Sequence, residues 1–122
     1  MTKIYRGKRG EHSVEVCVLV IDRRKKKRVR ALRHIPFHSP AGFEWGFQGS
    51  GPADLALAIL VDYFRERPPH TGWLAGEKFS RWTVNSRAFT HHQDFKREIL
   101  AQFGDEWELS GLQLDTWLKN HL

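Results

Sequence analysis

One cysteine, Cys17, is all that 122 residues provide. An internal disulfide and a cysteine-based zinc site are therefore excluded. Long apolar runs are missing too, since a membrane helix needs about 20 apolar residues in sequence. The first residues carry no apolar signal core. A cytoplasmic protein without a membrane partner is the expectation. No Gly-Lys-Ser/Thr phosphate loop occurs. Helix-turn-helix, zinc-finger and aromatic ribonucleoprotein signatures are also missing. No cofactor is implied.

What the chain does have is charge of one sign in one place. Residues 1–33 hold twelve Lys or Arg against Glu11, Glu15 and Asp22, a net +9, while the remainder is −3. Arg23, Arg24, Lys25, Lys26, Lys27, Arg28 and Arg30 fill seven of eight consecutive positions, with Val29 the exception. A cluster of this kind releases counterions on binding phosphates and steers association. Arg6, Lys8 and Arg9 extend the patch if the first strand lies beside it.

The length fits one domain, residues 1–122, with a core that needs no staples. Ile4–Arg6 reads as a short edge strand. Val14–Ile21 is a strand with Val14, Val16, Val18 and Val20 on one face and Cys17, Leu19 and Ile21 on the other. Arg28–Ile35 is a second strand, and the polar link between them predicts an antiparallel hairpin with a basic tip. A third strand is expected over Phe43–Phe47, with Phe43, Trp45 and Phe47 on one face.

Pro52 suits a helix start, and Asp54 is placed to meet orphan N–H groups there. Leu55–Phe64 is apolar on nearly all sides and predicts the most buried helix, stopped by Pro68-Pro69. Residues 70–88 offer a strand around Phe79–Val84 or a functional loop. Thr90-x-x-Gln93 reads as a capping box opening a helix that ends at Gly104, and Ser110-x-x-Gln113 as a second. The fold class is α+β: a small antiparallel sheet of three or more strands, covered on one face by about three helices.

Gly42–Gly51 packs four glycines and three aromatics into ten residues. The run Gly42–Leu60, with Gln93-Asp94-Phe95-Lys96 and Trp107-Glu108-Leu109-Ser110, resembles a family of small uncharacterised proteins of phages, plasmids and other mobile elements. Its members carry G-F-E-W-G-[Y/F]-x-G-S-G-P-A-D-L-A-L, then a helix with Q-D-F-K, then a short Trp-containing helix. The resemblance covers most of the chain but implies no activity and no catalytic residues. The basic tip and residues 70–88 are where this chain departs from the pattern.

Three functional readings follow. The first is a non-catalytic accessory protein whose hairpin (Arg23, Arg24, Lys25, Lys26, Lys27, Arg28, Arg30) contacts nucleic acid through phosphates. The second is an inhibitor of a host defence or replication complex, docking the same tip on an acidic protein surface with Trp73 and Trp82 as anchors. The third is a small hydrolase using Glu44 and Asp54. The seven histidines read as scattered surface or capping residues: Pro36 keeps His34 and His38 off one helical face, and His12, His70 and His121 lack local partners.

Overall fold

The alternation of Val14–Ile21 becomes a strand with those bounds, β2, in the computed structural model, which describes residues 1–68 and 81–121. Antiparallel partners flank it: β1 (Thr2–Arg9) and β3 (Lys27–Ala31). A fourth strand, β4 (Glu106–Ser110), pairs with the far side of β1, giving the order β3-β2-β1-β4. The architecture is α+β: among the described residues, a four-stranded antiparallel sheet with four helices.

The described chain forms two compact units. The first, residues 1–32 and 105–122, holds the sheet and helix α4 (Gly111–Lys119). One sheet face is buried through Tyr5, Gly7, Val18, Val20, Trp107 and Leu109. The other carries the exposed Arg6, Lys8, Glu15, Glu106 and Glu108 around a half-buried Cys17. The capping box at Ser110 forms in full: Ser110 Oγ accepts from Gln113 N, and Gln113 Oε1 accepts from Ser110 N. Leu114, Trp117 and Leu118 are the buried stripe of α4, and His121 stacks on Trp117 with ring centroids 3.9 Å apart.

Gly7 is where the sheet admits no side chain. A Cβ there would lie 2.2 Å from Cε2 of the buried Trp107 indole. Gly7→Ala is expected to cost about 2 kcal/mol through overpacking. Gly104→Ala, with nothing within 4 Å of the added methyl, should be close to neutral. Urea denaturation midpoints at unchanged slope check the pair.

The second unit, residues 33–104, is built on α1 (Ser50–Phe64), whose residues Pro52–Val61 are all buried. A helix apolar all round sits inside a core. It packs along α3 (Arg87–Glu98), which is preceded by the short α2 (Arg81–Asn85) and followed by a 3-10 turn at Leu100–Gln102.

Several expectations are corrected. The first strand is eight residues long and interior, not a short edge strand, because β4 supplies its second partner. The second strand ends at Ala31. Phe43–Phe47 is not a strand: Gly42 and Gly46 sit at φ 116° and 85°, which breaks the two-residue alternation. Trp45 is consequently buried while Phe47 is half-exposed.

Helix α1 ends before the prolines, because Arg65 turns left-handed (φ 57°) and its N–H closes on Asp62 O and Val61 O. Of the expected strand Phe79–Val84, residues 81–84 are helical, and the rest lies outside the described residues. Helix α3 is capped by Ser86 rather than Thr90. Ser86 Oγ accepts from Phe89 N, and Glu66, reaching from beyond α1, accepts from Ala88 N. The cap is thus shared by two segments, and Thr90 falls inside the helix. The same helix ends at Glu98, short of Gly104.

Candidate functional site

The hairpin joining β2 to β3 is a tight loop clamped by one aspartate. Asp22 N donates to Lys26 O at 3.0 Å, and Asp22 O accepts from Lys25 N at 3.1 Å. The Asp22 carboxylate oxygen Oδ1 accepts from Arg24 N at 2.8 Å and Lys26 N at 2.9 Å. A short polar side chain satisfying the turn's own N–H groups is what favours aspartate at turn starts. The three-residue loop 23–25 requires its last residue to be left-handed, and Lys25 takes that position at φ 66°. A non-glycine residue costs about 1 kcal/mol there. A lysine stands where glycine would fit the backbone better.

Arg23, Arg24, Lys25, Lys26, Lys27 and Arg28 are all exposed, and Arg30 is half-buried. Among the described residues, none of the six from Arg23 to Arg28 enters an ion pair. The β1 cations behave differently. Arg6 meets Glu108 at 2.7 Å, Lys8 meets Glu106 at 3.7 Å and Arg9 meets Asp105 at 3.1 Å. Register explains the split: β4 pairs with Ile4–Lys8, whereas Thr2 lies opposite Ile21 beside the hairpin. The expected extension of the patch through Arg6, Lys8 and Arg9 is therefore neutralised across the β1–β4 seam. The tip stands as a concentrated cationic end of the sheet.

The glycine-aromatic run builds something else. Trp45 is fully buried and donates Nε1–H to Gly104 O at 2.7 Å, and Gly46 N donates to Leu100 O at 2.9 Å. Gly51 lies against Glu44, with room for no Cβ at 2.8 Å. Asp54, fully buried on α1, accepts from His38 N (2.7 Å), Ser39 N (2.9 Å) and His34 Nε2 (2.9 Å). It does not cap its own helix; it holds the 34–39 segment against α1. Glu44 Oε1 accepts from Trp45 N. Both carboxylates of the hydrolytic reading are thus engaged in backbone bonds.

Sequence reasoning missed that three histidines converge here. His92, buried on α3, bonds through Nδ1 to Phe89 O and through Nε2 to His38 Nε2 at 2.9 Å. A carbonyl only accepts, so His92 carries its proton on Nδ1 and offers a lone pair at Nε2; His38 Nε2–H donates to it. Burial, then the neighbouring His38 and Lys96, outweigh the Phe89 bond and lower the His92 pKa to about 4. Among the described residues, no group of three or more His, Cys, Asp or Glu side chains is placed to hold a metal ion.

Trp82 is half-buried, its Nε1–H donating to Arg67 O at 2.7 Å and its ring beside Phe37 and Phe89. Trp73 lies outside the described residues. No helix among the described residues is long and apolar enough to cross a membrane.

The model of a family of unknown function, DUF6166, matches residues 5–75, more than half of the chain. The chain belongs to that family. The matched range carries the hairpin, His34, His38, the glycine-aromatic run and all of α1, whereas His92, β4 and α4 lie beyond it. No curated protein and no solved structure matches the chain.

Proposed function

We propose that this chain is a non-catalytic accessory protein whose β2–β3 hairpin contacts nucleic acid through its phosphates. One observation carries the reading: an Asp22-clamped tip presents Arg23–Arg28 exposed and without carboxylate partners, while Arg6 and Lys8 of β1 are matched by β4 acids and Arg9 by Asp105. Holding Lys25 in a left-handed conformation fits a site where local stability is given up for a charge. The resemblance to proteins of phages and plasmids suits such an accessory role in a mobile element. Contact made by long flexible cations to phosphates carries no base information, so little sequence preference is expected.

Fluorescence anisotropy with labelled duplex DNA tests this. Engaging about five phosphates should weaken affinity roughly 10²–10³-fold between 50 and 200 mM salt. Charge reversal at Lys25→Glu, Lys26→Glu and Lys27→Glu should abolish binding at the lower salt. Unchanged affinity in the reversed variant would defeat the proposal. If the wild-type protein binds no duplex but captures an acidic partner through the same residues, the inhibitor reading takes its place.

A further inference from the structure

The backbone of β3 offers a second surface, distinct from the tip's charges. β3 ends the sheet order, so among the described residues one of its sides faces no strand. Which groups look outward follows from parity. Leu32 N donates to Val16 O, and Lys26 O accepts from Asp22 N. Even-numbered residues of this strand therefore bond to β2, and Lys27, Val29 and Ala31 turn their N–H and C=O groups to the open edge. Val29 is 63% exposed and Ala31 is exposed as well. Their side chains share the face of Leu19 and Ile21, whereas Arg28 and Arg30 project from the other.

We infer that this edge accepts an extended acidic segment of a partner protein as a fifth strand. Edge N–H and C=O groups at two-residue spacing are a template for strand addition. Side-chain alternation then sets the sequence of the guest. The residue opposite the exposed Arg28 should be acidic, and those opposite Val29 and Ala31 apolar. A second copy of this chain is a poor guest: antiparallel pairing centred on Val29 sets Arg28 of one copy against Arg30 of the other. Nucleic acid does not suit this edge either, because the outward carbonyls repel phosphates. The inference goes beyond the phosphate reading, since it rests on the β3 backbone.

The test uses the full chain and a fluorescein-labelled peptide, Glu-Val-Glu-Val-Glu-Val-Glu. It should bind, while an isomer of the same composition with its four Glu and three Val in separate blocks should bind about tenfold or more weakly. Val29→Pro removes one outward N–H at an edge position that tolerates proline. It should lose about tenfold or more of the peptide affinity yet keep duplex DNA binding within about twofold. Should that variant fail to fold, the peptide methylated on its valine nitrogens removes the complementary bonds, those its own N–H groups would donate to the outward carbonyls of β3. Equal affinity for the alternating, block and methylated peptides would overturn strand addition and leave only charge attraction. Concentration-dependent dimers blocked by Val29→Pro would overturn it in favour of self-pairing. Failure of the wild-type protein to bind duplex, with peptide binding intact, would count against the phosphate reading and not against this one.

Discussion

Asp54→Ala should lower stability by about 3–5 kcal/mol, the scale of removing one partner from a buried charged network. The carboxylate is fully buried and accepts three hydrogen bonds. Its removal takes the acceptor away from the part-buried N–H of His38 and the buried N–H of Ser39. Each such orphan costs about 1–3 kcal/mol. Asp54→Asn is the sharper control. Its amide keeps one acceptor oxygen but sets an NH₂ against whichever backbone N–H the other oxygen held, so an intermediate loss is expected. For a domain of ordinary stability, about 5–15 kcal/mol, the alanine variant should show a large drop in urea midpoint. Intrinsic tryptophan fluorescence follows the change. A loss below about 1 kcal/mol for Asp54→Ala would mean that the 34–39 segment does not depend on this anchor.

Acid should loosen the same region through His92. Its folded pKa is about 4 against 6.5 in the unfolded chain, because burial disfavours the charged ring. A depressed folded pKa contributes stability that is fully present above pH 6.5 and is lost as pH falls towards 4. Between those limits the unfolded state binds the extra proton, so stability rises with pH there. The full contribution is on the order of 3 kcal/mol. Geometry gives the same sign. Protonating His92 puts a hydrogen on Nε2, where His38 already donates one, and the 2.9 Å contact becomes donor against donor. Denaturation midpoints measured from pH 7.5 to 4 check this. His92→Phe should flatten the slope over that window; an unaltered slope would assign the acid sensitivity elsewhere.

The parts of the fold legible in the sequence were those whose cause is local. β2 shows its alternation, the hairpin its polar break, α4 its Ser110–Gln113 box, and α1 its apolar surface. The rest depends on partners distant in the chain. β4 has a readable alternation in Glu106-Trp107-Glu108-Leu109, but its meaning as a strand comes from β1, about a hundred residues earlier. The start of α3 needs Glu66 as well as Ser86. Phe43–Phe47 imitates a strand by composition, and the positive φ of Gly42 and Gly46 decides otherwise. The candidate hairpin was visible because charge clusters are local in sequence. The Asp54 cluster was not: its members are spread from His34 to His92, and only folding brings them together.

The pairing of β1 cations with β4 acids also bears on how this protein would arrive at a partner. Neutralised ion pairs make that end of the sheet electrically quiet even within a Debye length, about 10 Å at 0.1 M salt. The hairpin end stays a concentrated source of positive potential. On the proposed reading, a polyanion in the vicinity would draw the sheet in tip-first. Breaking the Arg6–Glu108 or Lys8–Glu106 pair by removing the acid would blur that orientation by adding a second positive pole. The change would appear in the rate of encounter rather than in the lifetime of the complex.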